Sequence, residues 1–189
     1  MTGLTRKRTQ RVTEAGRKAI IMREGIRLNA YKCPAGVWTI GIGHTGKDVT
    51  PGRVITEQEA LQIFKKDLDP VEGYLSDFGF KLKPWAFDAV ASFLINVGAL
   101  KFSKSTLLRL LKAGNSDLMI APQFLRWKFA TMPNGEKKIL PGLAARRYSE
   151  ALQFIGEPNH LRSLGYPDAS LPAPIHTWQE IENKLGKPE

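Results

Sequence analysis

Between residues 56 and 75 the apolar side chains Leu61, Phe64, Leu68, Val71 and Leu75 fall three or four apart. That spacing stacks them on one face of an α-helix. Thr56-Glu57-Gln58-Glu59 supplies a capping box at the start, so the pattern predicts a long amphipathic helix. Residues 85–97 are apolar nearly all round, as a buried central helix is, and Pro84 suits its first turn. The polar exceptions, Asp88, Ser92 and Asn96, are four apart and share a face. Ala144, Tyr148, Ala151, Leu152 and Ile155 mark one face of a later helix opened by Pro141-Gly142. Shorter helices are predicted over residues 13–24, with Thr13 as N-cap and Ala19 and Ile20 packing inward. Two more are predicted over residues 105–112 and over the aromatic, basic run 124–129.

The helical period breaks between residues 27 and 42. Two short extended runs, 27–32 and 37–42, flank Pro34-Ala35-Gly36, a turn sequence. A helix feeding this hairpin leaves Glu24 at the junction between a helical lobe and a β lobe, where a cleft can form. Helix C-termini carry partial negative charge, so a carboxylate there is disfavoured. The same field favours the protonated acid, the form a general acid needs. Gly25, next in line, is the residue type that ends helices in the left-handed conformation. Locally, the residues fit equally a helix that ends in a solvated Glu beside Arg23.

The stretch EGIRLNAYKCPAGVWTIGIGHT, residues 24–45, places Cys33 eight residues beyond Glu24 and Thr39 five residues beyond Cys33. It resembles the active-site signature of the phage-type (T4-like) lysozymes or endolysins, glycoside hydrolase family 24. That signature is a Glu, eight residues, an Asp or sometimes a Cys, five residues, then a Thr. LPGLAARR at residues 140–147 also resembles a segment of that family, and the likeness runs from about residue 13 to 156. It implies an α+β, lysozyme-like fold: a small β-hairpin lobe and a larger helical lobe joined by a long helix. It implies hydrolysis of the β-1,4 bond between N-acetylmuramic acid and N-acetylglucosamine in peptidoglycan, without metal or other cofactor. Glu24 would be the acid; Thr39 with Cys33 would position water on the opposite face, giving inversion. Cys33 stands where the family more commonly has Asp, and packing or nucleophilic attack are its alternative roles. Asn96 falls where the family places a substrate-contacting side chain, though a capping or buried polar role is equally open. Trp127 is a candidate for stacking on a sugar, with core packing as the alternative. The resemblance pairs His44 with Asp67. Arg146 and Arg147 either meet acidic groups near the cleft or face solvent.

The chain's 189 residues suit one domain with an appendage. The expected division is a basic arm at 1–12, a lysozyme domain at 13–156 and a Pro-containing extension at 157–189. Within that extension Thr177, Trp178, Glu180, Ile181 and Leu185 predict one short docking helix. One cysteine excludes an intrachain disulfide, and the spaced Cys/His arrays of zinc sites are absent from the sequence. GIGHTG at 41–46 formally matches a dinucleotide-binding fingerprint, but Pro51 and Gly52 follow where a helix should open. The net charge of +10 suits polyanionic partners, an anionic wall or membrane surface among them; no nucleic-acid recognition motif accompanies it. No apolar run follows the N-terminal charges, so no signal peptide or membrane span is expected. The family setting implies a monomer held in the host cytoplasm until a holin opens the inner membrane to the wall. A lytic transglycosylase on the same bond, or a wall-binding protein without catalysis, are the alternatives.

Overall fold

The computed structural model describes residues 10–33, 36–131 and 135–166. Thr13 caps α1 (Glu14–Glu24), its side chain accepting from the Gly16 N–H. Ala15, Gly16, Ala19 and Ile20 are buried, as the helical spacing requires. Gly16 has a further constraint: a Cβ there would lie 2.3 Å from Asp88 Cγ. At the other end, Gly25 has φ 75° and ψ 172°. The expected left-handed cap is thus a positive-φ, extended residue, a conformation essentially reserved for glycine. It turns the chain directly from helix into strand.

β1 (Arg27–Lys32), β2 (Trp38–Gly41) and β3 (His44–Thr45) form an antiparallel sheet in that order. Thr39, on the central strand, faces Tyr31 on one side and Thr45 on the other. Pro34 and Ala35 lie outside the described residues; Gly36 N–H donates to Cys33 carbonyl at 2.8 Å. GIGHTG runs from β2 into β3 and opens no helix, so the phosphate-cradle geometry is absent. Ile40, Val49, Ile55 and Ala60 make a small apolar cluster of their own.

Ala60 belongs to α2 (Glu57–Asp77), whose capping box with Thr56 and Glu59 is complete. Further along, its Phe64, Leu68 and Leu75 join the main core. One helix therefore serves both apolar clusters, which is how it links the lobes. At 1.5 Å per residue it is roughly 30 Å long. Pro70 sits inside it, removing one backbone hydrogen bond without ending the helix.

α3 (Pro84–Val97) is buried continuously from Ala86 to Leu94, and packs against α1, α2 and, most extensively, α8 (Pro141–Ile155). Between them the chain winds through α4 (Ala99–Ser103), α5 (Thr106–Lys112), α6 (Asp117–Ile120) and α7 (Pro122–Leu125), then a hairpin, β4 (Phe129–Thr131) and β5 (Lys137–Ile139). The helix expected over 124–129 stops at Leu125. Phe124 alone is fully buried, whereas Phe129 pairs with Ile139 across the hairpin, and that pairing overrides the local pattern.

Residues 10–12, the end of the expected basic arm, are tied to α2. Val12 N–H donates to buried Glu72 at 2.8 Å, Gln10 N–H donates to Ser76 Oγ at 3.1 Å, and Arg11 bridges Asp69 and Glu72. The extension begins with a helix the periodicity did not mark, α9 (Pro158–Ser163). Glu157 caps it by accepting from the Asn159 and His160 N–H groups, and Pro158 occupies the first turn, where its missing N–H costs nothing. Leu161, Leu164 and Tyr166 then pack on Ala15 and Ala19 of α1. The helix expected around Trp178, Ile181 and Leu185 lies outside the described residues. Among those described, no helix is long and apolar enough to cross a membrane.

Candidate active site

Glu24 ends α1, and its side chain is 23% exposed. Arg146 Nη1 lies 2.7 Å from Glu24 Oε1. The guanidinium thus supplies positive charge where the helix terminus is negative. Arg146 is itself held on two further sides: Nε donates to Glu150 Oε1 at 3.1 Å and Nη2 to the Ser92 carbonyl at 3.2 Å. Arg146, Arg147 and Glu150 fall three and four residues apart on α8, so they share the face that meets α3. Arg147 is fully buried, ion-paired with Glu150, and lies 4.9 Å over the Phe93 ring. Burial lowers its guanidinium to about 10 despite Glu150. Burial likewise lowers Arg23, which donates to Ser92 Oγ, Ser149 Oγ and Gln153 Oε1 at 3.1, 2.8 and 2.8 Å.

The sheet carries the other two signature residues. Thr39 is 4% exposed, and its hydroxyl donates to the Val37 carbonyl at 3.1 Å. The same carbonyl accepts the Cys33 N–H at 2.9 Å. One backbone oxygen therefore ties Cys33 to Thr39 across the hairpin, and Cys33 is half-buried. Gly25 and β1 connect this pair to Glu24 along the chain, while Arg146 fastens Glu24 to the helical lobe.

A cavity of about 460 Å³ opens where β3, α2 and α3 meet. Ile42, His44, Phe64, Asp67, Tyr74 and Ile95 contribute to its wall. Glu24, Cys33 and Thr39 are not on that wall; of the three, Thr39 adjoins it, through its pairing with the wall residue Thr45. Asn96 is exposed at the end of α3, between the wall residue Ile95 and Gly98. Trp127 stands edge-on to Phe93, centroids 5.5 Å apart, and also lines a hollow of about 310 Å³ with Lys104, Thr106, Gln123 and Arg126. It packs on the core and keeps an open face.

His44 presents Nδ1 to Asp67 at 2.9 Å and Nε2 to Asp48 at 3.2 Å. Arg53 and His44 together hold the Asp48 carboxyl below its ordinary value. With both ring nitrogens engaged, this histidine braces β3 against α2. No group of His, Cys, Asp and Glu among the described residues is arranged to hold a metal ion. The sequence left open whether Arg146 and Arg147 meet acids; both do. The Arg23–Ser92–Glu150–Gln153 network was not foreseen, although Arg-Arg-x-x-Glu-x-x-Gln on one helix face carries its half of the signal.

The sequence pattern of the family described as Phage lysozyme matches residues 22–150. The endolysin of Acyrthosiphon pisum secondary endosymbiont phage 1 is 37% identical over 144 residues, covering 76% of this chain and 97% of that protein. The endolysin of Bacillus phage B103 is 35% identical over 147 residues, 76% of this chain but only 54% of its own length. Among solved structures, the muramidase domain of SpmX from Asticaccaulis excentricus superposes with a TM-score of 0.72 at 31% identity, covering 77% of this chain and 98% of that one. A P22 lysozyme mutant superposes with a TM-score of 0.67 at 35% identity, covering 77% and 98%.

Proposed function

This chain belongs to the phage lysozyme family and is a muramidase acting on peptidoglycan, and from that premise we propose how its own residues cleave the glycan. The Glu24 carboxylic acid donates its proton to the glycosidic oxygen as the bond from the muramic acid C1 to that oxygen breaks. Positive charge develops at C1. Thr39, with Cys33 beside it, holds a water on the opposite face, and that water attacks C1 with inversion. The shared Val37 carbonyl supports this pairing, since it fixes both residues to one point of the sheet. Once its proton has gone, Glu24 is a carboxylate, and Arg146 at 2.7 Å stabilises it. The place of Glu24 at the end of α1, directly before the sheet that carries Cys33 and Thr39, is the observation that supports the acid assignment. Asn96, exposed beside the cavity-wall residue Ile95, and the open face of Trp127 are the proposed sugar contacts. The setting consistent with the family is a monomer that reaches the wall from the host cytoplasm when a holin opens the membrane.

Mass spectrometry of digested peptidoglycan tests the reaction. Hydrolysis leaves a reducing N-acetylmuramic acid end; an anhydro end, or no cleavage, overturns it. Glu24→Gln is expected to fold and to lose about 10²–10⁴-fold in rate, the usual contribution of general acid catalysis. A folded variant that clears walls at the parent rate removes Glu24 from the mechanism.

A further inference from the structure

Glu150 has no part in the chemistry above, yet it is a fully buried carboxylate. Its Oε1 accepts from Ser92 Oγ at 2.8 Å, Arg147 Nη2 at 2.9 Å and Arg146 Nε at 3.1 Å. Its Oε2 faces Arg147 Nε at 2.9 Å. One buried carboxylate needs one cation, and Arg147 supplies it, with a hydrogen bond to Oε1 and a charge contact without hydrogen-bond geometry at Oε2. The bond to Arg146 is additional. Arg146 spends its three nitrogens on three partners: Glu150, the Ser92 carbonyl and Glu24. A planar guanidinium held on all sides has a fixed orientation. The charges gathered here are Arg23 from α1, Arg146 and Arg147 from α8, and the carboxylates Glu24 and Glu150. His160 of α9 meets the cluster through Ser149, and Tyr166, which donates to Asp88, meets it through Gln153. Three guanidiniums face two carboxylates. Without Glu150 they would face Glu24 alone.

We propose that Glu150 is a positioning residue for the acid: it sets the Arg146 guanidinium against Glu24 and shares that cation, so that Glu24 does not meet its charge alone. The proposal rests on Glu24 being the general acid.

The test is the pH profile of kcat and KM on a soluble peptidoglycan fragment, measured well below the melting temperature. Glu150→Gln keeps the shape and removes the charge. Its alkaline limb should move down by about one pH unit, a roughly tenfold loss of rate on that side, because an unshared cation favours the ionised acid. KM should stay within about twofold. Arg146→Gln should move the limb the opposite way. A purely structural role for Glu150 would lower the folded fraction and the rate equally at every pH, and that result overturns the proposal. Should Glu150→Gln not fold, Glu150→Asp decides. It keeps a charge for Arg147 but is one methylene too short for Arg146, so a smaller downward shift is expected. A limb at the parent position overturns the proposal. If Glu24→Gln remains active, the acid assignment itself has failed. If Glu24→Gln is dead and the Glu150 limb is unmoved, only this inference has.

Discussion

At the scale of single residues, Cys33 is the departure that matters most. An aspartate there would offer a full negative charge to the developing cation. A thiol of ordinary pKa is only about 3% ionised at pH 7. Its backbone, pinned to the carbonyl that also holds Thr39, fits a residue that helps to place water. Serine keeps the size and polarity without a reactive thiolate, so Cys33→Ser is expected to retain substantial activity, and Cys33→Asp to be active. NMR of freshly cleaved oligosaccharide should show the inverted α anomer first. A β anomer, or a sugar trapped on Cys33, would sink the water-positioning role. Glu24, Cys33 and Thr39 could be proposed from the sequence because they lie within one short stretch at fixed spacing. Arg146 as the partner of Glu24 was legible only as a possibility, since the two are far apart in sequence and meet only when α8 packs on α3.

Among the elements, α9 is the one whose contribution is most open to measurement. Leu161 is fully buried against α1, so Leu161→Ala should cost about 2–5 kcal/mol through lost contact and a cavity. Chemical denaturation would show it as a lower midpoint at unchanged slope; an unshifted midpoint would mean α9 does not dock in solution. Its His160 also predicts a pH effect. Burial, then the nearby Arg23 charge, holds the imidazole below its ordinary 6.5, and Nε2 sits 3.0 Å from Ser149 Oγ. A base depressed in the folded state binds fewer protons there than in the unfolded chain. Its stabilisation is therefore present above about pH 6.5 and is lost as pH falls through the lower folded value. The parent should lose more melting temperature than His160→Gln between about pH 7.5 and 5. Parallel curves would show that His160 titrates alike in both states. The sequence did not reveal α9, because its opening Pro158 reads as a breaker unless Glu157 is seen to cap the turn.

For the whole molecule the net charge of +10 sets the behaviour. Peptidoglycan in a wall sits among anionic polymers, and attraction between a cationic enzyme and such a surface is screened by salt over about 8–10 Å at moderate ionic strength. Lysis of whole walls is expected to slow as sodium chloride rises from about 0.05 to 0.3 M, while cleavage of a small uncharged chitin-type or reduced glycan fragment changes little. Equal salt sensitivity on both substrates would place the effect in the active site instead.

The sequence by itself determined the α+β class, the capped linking helix and the buried central helix, and it nominated the three signature residues. Each of these rests on local information: the period of apolar side chains, the chemistry of caps and turns, or a motif within one stretch. The partners of Arg146, the brace from His44 to both Asp67 and Asp48, the hairpin of β4 and β5, and the docking of the extension on α1 were decided by tertiary structure. They depend on groups separated by tens of residues, for which sequence pattern gives residue type but no distance. Glu150 shows why. Its spacing from Arg146 and Arg147 is a common surface pattern on a helix, and only the packing of α8 against α3 removes it from water and joins it to Ser92, Arg146 and Arg147.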